Sequence, residues 1–367
     1  MKVLVTGSNG FIAKNLIANT NKDDRFIIST YSRKNNQQDL FKLVNDSDAV
    51  VHLAAANRPE SNDYFFKDNI ELTVKLCQCL ESSKKKTPII FSSTTQSNLD
   101  NPYGKSKLEA EKAIKSYGKR TGSKAHIYRL PNVFGKWAKP NYNSVVATFC
   151  HSIAGDLPIV VDDPGKELDL VYIDDLIKVF VSILISDKSP EVEPPFPVYS
   201  IKLGQLAELI KSFRQSRINL TVGNVGSGLT RALYATYLSY YKPSHFSYKL
   251  KQHNDDRGGF AEFLKTQDSG QISFFTVNPG CTRGGHFHHT KNEKFLVVKG
   301  NAKFRFRNIL TNEKYELDVS EDLLEVVETI PGWAHDISNL GTTKMVVMLW
   351  ANEIFNEKIK SNDGDWY

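Results

Sequence analysis

Little in this chain could build a disulfide framework or a membrane span. Its 367 residues include four cysteines, Cys77, Cys79, Cys150 and Cys281, too few and too irregularly spaced for the stapled core of a small secreted domain. Cys77-x-Cys79 lies in a helical pattern with no second Cys/His pair nearby, so buried free thiols are expected. Long hydrophobic runs are missing as well. The longest, Leu176 to Ile185, contains Lys178 and is too short to cross a bilayer. Met1 to Val5 runs straight into a glycine turn, which leaves no room for the apolar region of a signal peptide. These absences predict a cytoplasmic protein with no membrane insertion. A clustered basic stripe is also lacking. The net charge of +6 is spread along the chain, and Lys84-Lys85-Lys86 reads as a solvated turn. Nucleic acid is therefore not an expected partner, while a mild attraction for an anionic ligand is.

What is present changes texture along the chain. Up to about residue 185, short apolar runs at Lys2–Thr6, Phe26–Thr30, Ala49–Leu53, Ile89–Ser92 and Ala125–Tyr128 alternate with helical patterns such as Asp63–Ser82 and Lys105–Lys119. Continuous apolar strands crossed by helices predict an α/β, doubly wound parallel sheet. Prolines at 190, 194, 195 and 197 mark a loop, followed by helices near Leu203–Phe213 and Thr230–Tyr241. Beyond Lys242-Pro243 the pattern turns to strands: Gln271–Val277, Lys294–Val298, Ala302–Arg307, Lys314–Val319, Leu323–Val327 and Lys344–Trp350. An all-β second domain is expected, with domains at 1–243 and 244–367.

Thr6-Gly7-Ser8-Asn9-Gly10-Phe11-Ile12-Ala13 follows the first strand and opens a helix. Gly7 permits a tight turn, and Gly10 lets a pyrophosphate approach the helix N-terminus, where free N–H groups and the dipole favour anions. Ala13 must be small for helix–strand packing. A dinucleotide site that prefers NAD usually carries an acid at the end of the second strand. Here that strand runs into Tyr31-Ser32-Arg33-Lys34. Arg33 and Lys34 suit a 2′-phosphate, so NADPH is the expected cofactor.

Tyr103-Gly-Lys-Ser-Lys107 places a phenol and an ammonium on one side of a helix. A neighbouring cation is expected to lower the phenol pKa, preparing Tyr103 to exchange a proton with a carbinol oxygen. Upstream, Ser92-Ser93-Thr94 ends a strand on a hydroxyl cluster. Together with Gly7-x-x-Gly10, His52-Leu-Ala-Ala55, Asn69, Pro131-Asn-Val-Phe-Gly135 and Val171-Tyr-Ile-Asp-Asp175, these segments resemble the extended short-chain dehydrogenase/reductases over residues 1 to about 240. The resemblance implies a Rossmann-type fold and a catalytic triad of Thr94 (or Ser93), Tyr103 and Lys107. It implies cofactor contacts from Gly7, Asn9, Gly10, Phe11, Ile12, Leu53, Ala54, Asn69, Tyr103 and Lys107. Asn132 aligns with a substrate-contacting segment, and the Asn57-Arg58 loop is a further candidate for reading substrate or cofactor phosphate.

In the second half, His286-x-His288, Glu293 and His335 carry metal-ligand spacing. Imidazoles with one carboxylate suit Zn²⁺, Fe²⁺, Ni²⁺ or Mn²⁺, and one divalent ion, zinc for preference, is expected. On a strand His286 and His288 would face the same way, with His289 the alternative to His288 under a register shift. Cys281 is a poor fifth candidate. The pattern from Gly280 through Gly300, then Gly332 to Asn339, resembles the two motifs of the cupins, which implies a β-barrel. Asp255-Asp256-Arg257-Gly258-Gly259-Phe260 resembles a segment of nucleotide-linked deoxysugar epimerases, themselves cupins, and makes Arg257 a substrate-binding candidate.

A reductase joined to an epimerase-like cupin resembles a bifunctional family of capsule biosynthesis along essentially the whole chain. That similarity implies a UDP-4-keto-6-deoxy-N-acetylhexosamine substrate. C3 epimerisation by the cupin would be followed by NADPH-dependent C4 reduction to UDP-2-acetamido-2,6-dideoxy-L-talose, on the way to UDP-N-acetyl-L-fucosamine. A homodimer is expected. The competing expectation is a single-function sugar-nucleotide reductase whose cupin only binds or dimerises.

Overall fold

The apolar runs of the N-terminal half assemble into one parallel sheet. The computed structural model describes residues 1–21, 23–57, 65–186, 195–288 and 290–354. Strands β1 (Lys2–Thr6), β2 (Ile27–Tyr31), β3 (Ala49–His52), β4 (Ile89–Thr94) and β5 (Ala125–Leu130) lie in the order β2-β1-β3-β4-β5 and all run parallel. Both faces are covered. Val3, Leu4 and Val5 are fully buried although consecutive residues point to opposite faces. Leu4, Val50, Ile89 and Phe91 pack with one helical layer, formed by α2 (Gln37–Asn45), α3 (Leu72–Ser82) and α4 (Pro102–Thr121). On the other side α1 (Phe11–Thr20) packs against α6 (Ile173–Ser186). The chain leaves β1 for β2 on one side, and β3 takes the other. This places a crevice at the carboxyl ends of β1 and β3, where open α/β sheets bind ligands.

The expected helix over 63–82 is divided in the structure. Phe66–Glu71 forms a π-helical turn that leads into α3, a local irregularity often found at functional sites. A small sheet of β6 (Asn132–Phe134), β7 (Glu167–Tyr172) and β8 (Tyr199–Lys202) lies beyond β5 in the chain, with α5 (Val145–Ala154) between β6 and β7.

The remaining strands form a β unit. Two compact units are distinguished: Met1–Lys211 with Gly226–Lys242, and Ser212–Val225 with Pro243–Tyr367. The end of α7 (Leu203–Asn219) and β9 (Thr221–Val222) thus group with the β unit although they precede the boundary drawn from sequence. One sheet runs β10 (His253–Asp255), β11 (Gly258–Thr266), β12 (Gln271–Val277), β19 (Met345–Ala351), β14 (Glu293–Lys299), β17 (Val326–Glu328), with β9 paired to β11; the other runs β13 (Thr282–His286), β18 (Trp333–Asn339), β15 (Asn301–Asn308), β16 (Lys314–Ser320). Phe275, Phe295 and Val347 from the first sheet meet Phe304, Phe306 and Ile337 from the second in one buried core. The strand expected at Leu323–Val327 is shorter and later, at β17 (Val326–Glu328). Leu324 has φ +47°, and both Leu323 and Leu324 are exposed, so the leucines form a turn and not a buried run. Strands β13 (Thr282–His286) and β18 (Trp333–Asn339) carry two metal-ligand candidates; a strand was expected at each histidine, but the apolar runs did not give its bounds.

Candidate active site and metal centre

The glycine turn after β1 is shaped by a close approach. Gly7 has φ +68°, and a Cβ there would stand 2.6 Å from the Cα of Ala54 on the loop after β3. Only glycine accommodates both constraints. Gly10 caps α1 and Ala13 is completely buried beneath it. Thr6 Oγ1 accepts from the backbone N–H groups of Leu53 and Ala54 at 3.2 Å each and is itself bonded to His52 Nδ1 at 2.6 Å. His52 is fully enclosed, with its other ring nitrogen 2.8 Å from Thr73 Oγ1, and burial pushes its pKa down to about 3. It is a neutral pin for the loop, not a proton carrier.

Two adjoining cavities open along this loop and share Asn9, Gly10, Leu53 and Ala55. The first, about 500 Å³, is bordered by Gly7, Tyr31, Ser32, Arg33 and Asp68. Arg33 borders it with an 83% exposed side chain and donates to Asp68 at 2.7 Å. Lys34 is not part of that wall. Asp68 was not foreseen, because nothing in its sequence neighbourhood sets it apart from a surface helix residue. The second cavity, about 880 Å³, brings Phe11 and Ile12 from the first turn of α1 together with Asn57, Thr94, Tyr103 and Asn132. The unpaired N–H groups at the start of α1, the small residues at Gly7 and Gly10 and a trough of this size fit a dinucleotide with its diphosphate over the helix end. Arg58 lies outside the described residues. Asn69 lines neither cavity. Its amide braces the loop after β3, accepting from Ala56 N at 2.7 Å and donating to Ala56 O at 3.1 Å and Ser106 Oγ at 2.9 Å.

Tyr103 enters the second cavity because α4 starts hard against a 3-10 turn, Thr95–Asn98. A Cβ on Gly104 would lie 2.2 Å from Gln96 O, so the glycine beside the tyrosine is what permits that approach. The Thr94 side chain borders the same cavity and lies close enough to the phenol to favour its charged form. Ser93 instead donates to Glu111 Oε1 at 2.5 Å. Lys107 is fully enclosed, its Nζ donating to Ser92 O at 2.7 Å and standing 4.1 Å from the centre of the Phe91 ring. The expected depression of the phenol is not found. Burial pushes Tyr103 up to about 12, against the smaller lowering effect of Thr94. Lys107 offers little counter-effect because burial brings its own pKa down to about 7, opposed by the nearby Glu111 charge. An anion bound in the trough would favour the ammonium form.

In the β unit, His286, His288, Glu293 and His335 offer ligand atoms that all lie within 4.8 Å of one another. His286 and His335 face each other in the β13/β18 ladder, next to an irregularity at Gly284. Gly284 and Gly285 have φ +96° and +85°, and a Cβ on Gly284 would meet His335 O at 2.8 Å. The two glycines therefore shape the bend that aims His286. His288 reaches the cluster differently from the expected strand alternation: β13 ends at His286 and His288 lies beyond it. Glu293 begins β14 (Glu293–Lys299) on the opposite sheet. His289 is outside the described residues. Cys281 and Asn339 do not belong to the cluster; Asn339 donates to Val277 O and Thr343 O at 2.9 and 2.8 Å and so ties the end of β18.

Glu293 is 4% exposed, and its Oε2 faces His335 Nε2 at 3.2 Å and His288 Nε2 at 3.5 Å without a well-formed hydrogen bond. Burial alone would raise its pKa, but the two imidazoles and Lys291, 3.0 Å from Oε1, hold the carboxyl far below the usual range. Imidazoles and a carboxylate crowded together in this way without well-formed hydrogen bonds make an N/O donor set, and such a set fits a divalent ion. Arg257, at the turn between β10 (His253–Asp255) and β11 (Gly258–Thr266), is bound to Asp255 at 2.7 Å, and Arg283 reaches the same carboxylate at 2.9 Å.

A glycine turn at the head of a parallel sheet, with a tyrosine and a lysine on one helix beside it, defines a class. The chain belongs to the NAD dependent epimerase/dehydratase family, whose model matches residues 3–195; that family implies a nicotinamide cofactor. Residues 253–363 match the polysaccharide biosynthesis C-terminal domain. The chain is 49% identical, over 98% of its length and 96% of the relative's, to UDP-2-acetamido-2,6-beta-L-arabino-hexul-4-ose reductase of Pseudomonas aeruginosa. The crystal structure of the capsular polysaccharide assembling protein CapF of Staphylococcus aureus superposes with a TM-score of 0.92 at 41% identity, covering 100% of this chain and 99% of that one. UDP-glucuronic acid 4-epimerase of Bacillus cereus, solved with NAD, shares the fold of 65% of the chain (98% of that protein) with a TM-score of 0.54 at 19% identity.

Proposed function

We propose that this protein reduces the C4 ketone of a UDP-4-keto-6-deoxy-N-acetylhexosamine with NADPH. Its β unit, read as a cupin within a domain division at 243/244, inverts C3 beforehand. The product is UDP-2-acetamido-2,6-dideoxy-L-talose, a precursor of UDP-N-acetyl-L-fucosamine for surface polysaccharide. The observation that carries the reduction is the meeting of Thr94 and Tyr103 in the wall of the larger cavity, with Lys107 enclosed one turn along the same helix. Similarity to a named 4-ulose reductase along 98% of the chain supports the substrate class.

Bound NADPH supplies the hydride that goes to C4. The protein supplies the rest. Tyr103, protonated at neutral pH because burial raises its pKa to about 12, gives its proton to the C4 oxygen. The Thr94 hydroxyl holds that oxygen in place, and Lys107, when charged, lowers the cost of the phenolate left behind. Asn57, Arg58 and Asn132 serve the sugar nucleotide in this reading, and Arg257 does so in the β unit. His286, His288, Glu293 and His335 would hold one divalent ion, zinc by preference, which would supply a Lewis acid. The C4 ketone acidifies the C3 hydrogen, and later reduction removes the ketone and so traps the inverted centre. The protein is taken to act in the cytoplasm as a homodimer, which sedimentation at micromolar concentration checks.

A second reading has one observation in its favour: the Pseudomonas relative is named as a reductase alone. The β unit would then only bind or dimerise. Deuterium uptake from D₂O into the ketosugar, measured without NADPH, separates the two. Exchange at C3 supports the bifunctional reading; NADPH-dependent reduction without exchange supports the narrower one. Neither exchange nor reduction would overturn both.

A further inference from the structure

Next to the proton-donating pair lies a carboxylate that the reaction as written does not use. Glu111 is 1% exposed and sits on the same face of α4 as Tyr103 and Lys107, two turns and one turn further along. Its Oε1 accepts from Ser93 Oγ at 2.5 Å and from Arg129 Nε at 2.9 Å, and its Oε2 accepts from Arg129 Nη2 at 2.8 Å. Arg129 stands directly opposite Ser93 in the β4/β5 ladder. Its Nη1 reaches on to Asn98 Oδ1 at 2.8 Å, at the end of the 3-10 turn that follows Thr94. One buried carboxylate therefore joins three pieces: the strand residue before Thr94, the turn after it, and the helix that carries Tyr103. Neither Glu111 nor Arg129 lines the cavity that contains Tyr103.

The same carboxylate governs charge. Lys107 is faced from α4 by Tyr103 and Glu111, and from β4 by the Ser92 carbonyl and the Phe91 ring. From β3 it is faced by His52, which is neutral above about pH 3, while Glu111 is shared with Arg129 on β5 at 2.8 Å and with Lys115 on α4 at 3.8 Å. Among the described residues Glu111 is the negative group that opposes loss of the Lys107 proton.

We propose that Glu111 is a positioning residue of the reductase site, which with Arg129 sets Thr94 against Tyr103 and places a carboxylate one helical turn from Lys107. The inference rests on the reductase reading, and its test includes a measurement that needs neither cofactor nor turnover. The Lys107 titration is followed by NMR on protein carrying ¹³C-labelled lysine, with the resonance assigned through Lys107→Arg. Glu111→Gln should move the midpoint down by about one pH unit. It should also lower kcat for ketosugar reduction by about 10- to 100-fold, with KM for the cofactor kept within about two-fold. Glu111→Asp keeps the charge but shortens the reach, so it should restore the midpoint and only part of kcat. Ser93→Ala removes one contact without leaving a buried charge unpaired; it should lower kcat and leave the midpoint alone.

A folded Glu111→Gln protein with an unmoved midpoint and kcat within about two-fold of the parent would overturn the proposal. If Glu111→Gln does not fold, Ser93→Ala and Glu111→Asp decide, and unchanged kcat in both overturns it. Should the parent reduce no ketosugar at all, the reductase reading fails, while the Lys107 midpoint still tests the charge part of the proposal.

Discussion

Two carboxylates in this molecule are almost equally shut off from water and are stabilised in opposite ways. Glu111 is surrounded by donors that fit it: a hydroxyl and a guanidinium in fork geometry, each oxygen with a defined partner. Glu293 is surrounded by imidazole nitrogens at 3.2 and 3.5 Å that make no good hydrogen bond to its Oε2. Both are held in the charged form. The difference lies in what completes them. A satisfied buried ion pair is scaffolding, and removing one partner strands the other. A buried carboxylate with one oxygen crowded by imidazoles but left without a well-formed hydrogen bond has the donor set of a cation site. The contrast predicts that the α/β site keeps its geometry in the free protein, while the β site is incomplete without an ion.

The largest effect should come from the chemistry that the scaffold serves. On the proposed mechanism, Tyr103→Phe would remove the proton donated to the C4 oxygen and should lower the reduction rate by about 10²- to 10⁴-fold. In that mechanism the phenol serves the reacting oxygen and not the diphosphate, so the dissociation constant for NADPH should stay within about two-fold. Fluorescence titration together with steady-state rates checks both numbers. Turnover near that of the parent would remove Tyr103 from the mechanism.

Next in size is the test that can break the comparison itself. If Glu293 belongs to a cation site, added Zn²⁺ should stabilise the chelated protein by about 2.7 kcal/mol at a hundredfold excess over the dissociation constant, seen as a rise in melting temperature. Glu293→Gln should abolish that response. Glu111→Gln should lower the melting temperature but leave the response to zinc intact. A zinc response that survives Glu293→Gln would mean that the two carboxylates do not differ in the way argued.

A smaller, pH-dependent effect follows from Lys107. Its pKa is lowered to about 7 by burial. The ammonium is therefore present below that value and is lost as the pH rises through it. Reduction should decline on the alkaline side of about 7, with the midpoint displaced upward when anionic cofactor is saturating, because a nearby anion favours the charged form. The rate at saturating cofactor compared with kcat/KM across pH 6 to 9 reads out that displacement. A flat profile would show that the Lys107 charge does not matter for the chemical step.

What the sequence revealed and what it hid divide along the same line. Gly7-x-x-Gly10, Tyr103 with Lys107, and His286-x-His288 with Glu293 are local spacings, and a helix or a short turn brings such residues together whatever the rest of the chain does. Glu111 and Arg129 meet only because β4, β5 and α4 pack on one another; in the sequence each reads as an ordinary surface charge. Gly284-Gly285 gives a turn signal, but the close approach to His335 that requires it depends on the pairing of β13 with β18, some fifty residues away. Ser212–Val225 joins the β unit for the same kind of reason: β9 pairs with β11, a tertiary choice with no local trace. The phenol expectation failed on environment. The spacing of Tyr103 and Lys107 was read correctly, but burial of both groups outweighs the charge effect that spacing suggested.

The subtlest effect concerns the cofactor, and it turns on Arg33. The end of β2 carries no acid, and Arg33 stands on the border of the smaller cavity with its guanidinium largely in water. Asp68 shares that border and accepts from Arg33 at 2.7 Å. Exposed pairs of this kind are weak, so a 2′-phosphate can draw Arg33 from Asp68, whereas a 2′-hydroxyl cannot. Arg33→Ala should therefore weaken NADPH by about 10-fold, the worth of one charge-assisted contact at a wet site, and leave NADH nearly unchanged. Asp68→Asn should act in the opposite direction on NADPH, since it frees the guanidinium and removes a negative charge from the phosphate's surroundings. Equal losses for the two cofactors in Arg33→Ala would place the arginine outside 2′-phosphate recognition and make Asp68 the ribose-reading group of a site that takes NADH.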